Sequence, residues 1–139
     1  TSARNTFFGK IAFIERGDVQ SRVEIVTIGG QQVVAVITNL SADRLGLRKG
    51  SVITAEVKAP WVFLEKGERE PESSAENRFS GVVEHRLKGR VNTEYVLRIT
   101  DGTLLSAIVS TGSARILGLE PGDRVWAAFN CFAVTLHAD

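Results

Sequence analysis

Ser41-Ala-Asp-Arg-Leu-Gly-Leu47 (SADRLGL) returns 72 residues later as Ser113-Ala-Arg-Ile-Leu-Gly-Leu119 (SARILGL). Working outward from this pair, the register holds to both ends of the chain without a gap. Asn5 falls on Asn77, Phe7 on Phe79, Gly9 on Gly81, Gly17 on Gly89, Gly30 on Gly102, Gly50 on Gly122 and Val62 on Val134. Glycines, apolar residues and turn residues keep step together, which marks a structural repeat. The 139 residues are therefore read as a first repeat over 1–66, a linker over 67–76 and a second repeat over 77–139. Modules of about 65 residues bury little core alone, so packing against each other or against a second chain is expected.

Each copy reads as strands around one helical turn. Phe7 to Arg16 and Val19 to Ile28 mix β-branched and aromatic residues with polar ones at two-residue spacing, with Gly17-Asp18 as the break between them. Gln32 to Thr38 is a more continuous apolar strand. Ser41 to Leu47 loses the alternation and predicts a short helix, capped by Asn39 or Ser41 and ended by Gly46 or Gly50. Val52 to Lys58 and Trp61 to Leu64 are the last strands of the copy, around Pro60. Five short strands with a small helix before the fourth is the element order of an OB-type barrel. The predicted fold is all-β, two tandem Greek-key barrels of that type. The stretch Glu65 to Glu76 (EKGEREPESSAE) is charged and carries Pro71, as a solvated connection would.

Bulk properties exclude several classes. No apolar run approaches the roughly 18 residues that span a bilayer, so no membrane partner is expected. Formal net charge is +1 with both signs mixed, which does not favour nucleic-acid binding by the chain itself. The lone Cys131 has no partner for an internal disulfide, which suits a reducing, cytoplasmic setting. The chain starts at Thr1 and lacks methionine, so it is expected to be a piece or processed product of something longer.

The two copies differ where charge is concerned. Ser2-Ala3-Arg4-Asn5 returns as Ser74-Ala75-Glu76-Asn77, and Lys58 returns as Asn130. The hydroxyls Thr38 and Ser41 have counterparts in Ser110 and Ser113, as helix caps should, whereas both cations are missing from copy two. This asymmetry places a candidate oxyanion site on copy one. Ser2 and Arg4 lead into the first strand, and Thr38 and Ser41 offer rotatable donors at the start of the helical turn. Free amides there favour an anion. Lys58 supplies a point charge and Arg4 a planar fork of donors. Two cations with hydroxyls match a doubly charged oxyanion without a metal.

Thr1-Ser2-Ala3-Arg4-Asn5, Phe8-Gly9, Ile37-Thr38 with Ser41, Leu45-Gly46-Leu47 and Lys58-Ala59-Pro60-Trp61-Val62 together resemble the Mop (TOBE, molbindin-like) molybdate-binding domain in tandem. The resemblance covers the whole chain. It is nearest to the sensor half of the molybdate-responsive transcription regulators. Storage molbindins are similar but tend to carry Ser-Ala-Arg-Asn in both copies. The resemblance implies molybdate or tungstate as ligand, held between the subunits of a homodimer by Ser2, Ala3 (through its backbone) and Arg4 of one chain. Thr38, Ser41, Lys58 and Ala59 of the other chain would form the facing wall, with a possible secondary site at Ser110 and Ser113. DNA would be contacted only through a segment upstream of Thr1. A storage or buffering molbindin, or the tail of a molybdate transporter ATPase, is the alternative.

Other constellations carry less. His85, His137 and Cys131 show no metal-ligand spacing. His85 stands where copy one has Phe13 and reads as a packing residue, and Cys131 as a small apolar residue in a strand. No nucleophile elbow, P-loop or dinucleotide turn is present, so no enzymatic activity is expected. A single-stranded nucleic-acid module would need stacking aromatics, but Phe7, Phe8, Phe13, Trp61 and Phe63 fall in patterns that read as core.

Overall fold

The computed structural model describes residues 4–138. In copy one, β1 (Arg4–Arg16), β2 (Gln20–Thr27) and β3 (Gln32–Thr38) form a meander. Helix α1 (Asn39–Leu45) follows, then β4 (Val52–Lys58), a 3-10 turn over Ala59–Trp61 and β5 (Phe63–Lys66). Copy two repeats the order: β6 (Asn77–Lys88), β7 (Asn92–Ile99), β8 (Leu104–Ser110), α2 (Thr111–Leu117), β9 (Arg124–Phe129), a turn over Cys131–Ala133 and β10 (Thr135–His137). The all-β, tandem OB-type architecture read from the sequence is the one observed.

Sequence period sets the strands. From Asn5 to Ile11 every second residue of β1 is buried, with Phe8 and Lys10 pointing out. The strand serves two neighbours: residues from Arg4 to Lys10 pair with β4, and those from Gly9 onward pair with β2. At the changeover a Cβ on Gly9 would lie 2.2 Å from the carbonyl oxygen of Val26, so only glycine lets the strands approach there. Gly81 meets Arg98 in the same way at 2.6 Å. These close approaches explain why that glycine recurs in the repeat.

The repeats and the sheets do not coincide. Strand orders are β10-β4-β1-β2-β3 and β5-β9-β6-β7-β8, so each copy donates its last strand to the other's sheet. Leu136 of β10 sits opposite Ala55 of β4, and Leu64 of β5 opposite Ala127 of β9. The connection over 67–76 thus joins two exchanged sheets. Phe7, Phe79 and Phe129 stack with ring centroids 5.8–6.1 Å apart, making one core from both copies. Truncating such a ring to alanine costs about 3–5 kcal/mol, and here the loss would fall on both repeats.

Two buried asparagines complete the stitching. Asn77 accepts from the Val34 amide (2.7 Å) and donates to the Val34 carbonyl (2.9 Å). Asn5 does the same to Ser106, at 2.6 and 2.8 Å. β3 and β8 are sheet edges, and each asparagine acts as a one-residue strand that satisfies an edge backbone pair.

Several local expectations are corrected. The helix cap is Thr38, neither Asn39 nor Ser41: its hydroxyl accepts from the Ser41 amide, and Gly46 in the left-handed region ends the helix. Trp61 closes a 3-10 turn instead of starting a strand, because Pro60 fixes φ and offers no N–H for a ladder. Cys131 likewise lies in a turn, although it is buried as expected. His85 is exposed, not packed. A bulge between Val83 and His85 breaks the alternation, as one between Ile11 and Phe13 does in copy one. Of the aromatics read as core, only Phe7 is buried; Phe8, Phe13, Trp61 and Phe63 are exposed.

Candidate oxyanion site

The two cations that distinguish copy one meet across one ladder. Arg4 and Lys58 are direct cross-strand partners at the ends of β1 and β4. Side chains of such a pair share a face within a few ångströms, and both line a groove of about 610 Å³. Ser2 and Ala3, expected to join them, lie outside the described residues. Lys58 is exposed while Ala59 beside it is fully buried, and Pro60 at the start of the turn fixes where the strand ends.

The groove belongs to both copies. Trp61 borders it from the first 3-10 turn, and Asn130, Phe132, Thr135 and His137 from the exchanged segment of copy two. Asn130 is the position where copy two lost the lysine, yet it faces the same space as Lys58. None of these copy-two residues could be found from the sequence, because nothing in the residue pattern announces an exchanged strand. Glu56 was missed as well. Its carboxylate stands 3.0 Å from His137 Nε2 and 3.9 Å from Arg4 Nη1, so a negative group is built into the cationic end.

Thr38 and Ser41 lie elsewhere in the same chain. They line an adjoining concavity with Leu45 and Val134, which shares Phe132 and Thr135 with the groove of Arg4. The Thr38 hydroxyl donates to Ser41 Oγ at 2.9 Å and accepts from the Ser41 amide at 3.1 Å. That amide is therefore taken by the cap, contrary to the expectation of free N–H groups there. Ser110 and Ser113 repeat the geometry at 3.0 Å in both bonds. Lys58, which the resemblance places on the facing wall with Thr38 and Ser41 of another subunit, is the cross-strand partner of Arg4 within its own chain.

At the copy-two counterpart of the Arg4 position the charge is reversed and engaged. Glu76 contacts Arg22 at 3.3 Å, and Arg22 also holds Glu24. Burial first, and then nearby Glu76, pushes the Cys131 thiol up to about 11. Among the described residues no cluster of histidine, cysteine and carboxylates could hold a metal ion, and no helix is long and apolar enough to cross a membrane.

A TOBE-domain model matches residues 1–64 and again 73–136. This chain belongs to the TOBE family. Among its relatives, the molybdenum-pterin-binding protein MopA of Rhodobacter capsulatus is 37% identical over 136 residues, 98% of this chain and 51% of MopA. The DNA-binding transcriptional dual regulator ModE of Escherichia coli K12 is 34% identical over 137 residues, again 98% of this chain and 51% of the regulator. The TOBE chain thus spans about half the length of the curated relatives it matches. A crystal structure of the cytoplasmic molybdate-binding protein ModG with molybdate bound superposes with a TM-score of 0.93 at 35% identity, covering 100% of this chain and 99% of ModG.

Proposed function

We propose that this TOBE chain binds molybdate, and tungstate in the same manner, through Arg4 and Lys58, with Ser2, Ala3 and Ala59 as further proposed ligands. The observation that carries the reading is the cross-strand cation pair, present in copy one and replaced by Glu76 and Asn130 in copy two. A tetrahedral dianion fits two cations and a fringe of neutral donors, with charge-assisted hydrogen bonds as the main attraction. Binding, not catalysis, is the activity.

Thr38 and Ser41 open on a different concavity from Arg4 and Lys58. This supports sites completed by a second subunit, one chain bringing the cations and the other the hydroxyls. Units over 1–66 and 77–139, joined through 67–76, are proposed as repeats that assemble as one body. Ser110 and Ser113 keep the capping geometry without a cation of their own copy, and serve at most as a secondary site.

Two roles in the cell are supported by the matches, one more than the other. ModG is similar over its whole length, which supports a cytoplasmic binder that stores or buffers the oxyanion better than it supports a regulator's sensing half. Regulation is the second reading. It is favoured by relatives such as ModE and would require a DNA-binding segment outside this sequence.

Isothermal titration with molybdate, tungstate and sulfate tests the binding claim. Arg4→Ala and Lys58→Ala should each lose about 1.5–3 kcal/mol, the range for a hydrogen bond to a charged group, while Glu76→Ala keeps near-native affinity. Mixing Arg4→Ala with Ser41→Ala subunits should restore one intact site per mixed dimer. Equal binding of sulfate, or equal losses at Glu76 and Lys58, would refute the reading.

A further inference from the structure

Copy two carries a second basic concavity, away from the groove of Arg4. It lies between the end of β6, the start of β7 and α2, and encloses about 260 Å³. Arg86, Lys88 and Arg115 line it with a single acid, Glu120. Glu120 is engaged by Arg86 at 3.2 Å. Lys88 and Arg115 make no hydrogen bond or ion pair among the described residues. Tyr95 reaches the pit from below. It is fully buried, and its hydroxyl has no hydrogen-bond partner among the described residues. Tyr95 lines the floor of the pit beneath Arg86, Lys88 and Arg115. The neighbouring hydroxyls of Thr93 and Thr111 are not available in this way, because they bond each other at 2.9 Å.

Copy one supplies the internal comparison. The positions of Lys88 and Arg115 are held there by Arg16 and Asp43, which close the same place with a two-pronged ion pair at 2.9 and 3.3 Å. Ile14 replaces Arg86 and Val23 replaces Tyr95. Copy two has exchanged the acid of that pair for a third cation and put a phenol where an aliphatic side chain suffices for packing. Glu120 answers Arg86, which leaves Lys88 and Arg115 to repel each other until a further anion joins them.

We infer that this pit is an anion site for a compact tetrahedral dianion of the phosphate type, free or as the phosphoryl end of a small metabolite. The net charge of the lining, three cations less one carboxylate, is that of a dianion's complement. Arginine forks and a lysine ammonium match phosphoryl oxygens, and the Tyr95 hydroxyl gains the acceptor it lacks. The volume is below the roughly 300–1,000 Å³ of pockets for drug-sized ligands, which excludes a nucleotide.

Inorganic phosphate and glycerol 3-phosphate are titrated into the full chain at constant ionic strength, with backbone amide shifts as the readout. Saturating millimolar shifts should appear around Tyr95, Lys88 and Arg115, and persist in an Arg4→Ala chain. That persistence separates this site from the proposed molybdate groove. Shifts with phosphate alone identify the free ion, and shifts with both identify a phosphoryl group as sufficient. Tyr95→Phe should weaken binding roughly tenfold, the value of one hydrogen bond to a charged group, without lowering the urea midpoint. Arg115→Asp recreates the ion pair of copy one and should abolish binding in a folded protein. Absence of saturable shifts, equal affinity of Tyr95→Phe, or equal shifts in Arg115→Asp would each overturn the site and leave an adventitious ion only.

Discussion

Replacing Asn77 by alanine tests whether the two repeats fold as one unit. The side chain is 2% exposed and serves both backbone groups of Val34, itself 5% exposed on the edge strand β3. Alanine leaves that amide and carbonyl buried without partners. Each orphaned group costs about 1–3 kcal/mol, so the loss should reach about 2–6 kcal/mol. Against a typical total of about 5–15 kcal/mol that is a large fraction. Asn5→Ala removes the equivalent pair from Ser106, which is only half-buried. Water can reach those groups, and the loss should be smaller, about 1–3 kcal/mol. The assay is urea unfolding at fixed protein concentration, followed by tryptophan fluorescence and far-ultraviolet circular dichroism. Trp61 and Trp126 report one from each repeat. Both probes should move together to a lower midpoint with unchanged slope, because the exchanged strands and the phenylalanine stack make one cooperative core. A loss below about 1 kcal/mol for Asn77→Ala, or separate transitions for the two probes, would refute the reasoning.

Two further outcomes follow from charge. Glu56→Gln removes a negative group 3.9 Å from Arg4 and should raise molybdate affinity roughly fivefold, the effect of relieving about 1 kcal/mol of repulsion in a solvated groove; titration of the variant showing weaker binding would reverse the assigned sign. The Cys131 thiol holds its proton up to about 11 in the folded chain and loses it near the ordinary 9.0 when unfolded. The folded state therefore binds more protons in that window, and stability falls as pH rises through it. Relative to Cys131→Ala, the natural chain should lose roughly 2–3 kcal/mol between the two limits, measured as the change in the urea-stability difference below and above the window.

Most of the fold was legible because the repeat made each copy a check on the other. Period-two burial in β1 and β6, the short helix at SADRLGL and its end at Gly46 all follow from local chemistry. The strand exchange was not legible, since β5 and β10 carry the same alternation whichever sheet they join. Outward-facing aromatics were misread for a related reason: Phe7 and Phe8 are both apolar, and only the pleat decides that one goes in. In the site, Arg4 and Lys58 stood out through their loss in copy two, a signal available without coordinates. Glu56, Asn130 and His137 gave no such signal, because their meeting depends on pairing between β4 and a strand some eighty positions away in sequence.

Exchange also changes what the asymmetry between copies means. If each barrel closed on its own strand, copy two would be a spare framework that had lost its cations. Instead its last strand flanks β4, the strand that carries Glu56 and Lys58, and its 3-10 turn brings Phe132 to the groove edge. Copy two therefore lines the groove alongside Arg4 and Lys58, with the neutral Asn130 where copy one carries its lysine. A second lysine at Asn130 would place three cations around one groove and enlarge the repulsion that the empty site must bear. The same logic applies at Glu76. Its ion pair with Arg22 neutralises the position that would otherwise mirror Arg4. Any ligand bound there stabilises both sheets at once, because neither sheet exists without a strand from the other copy.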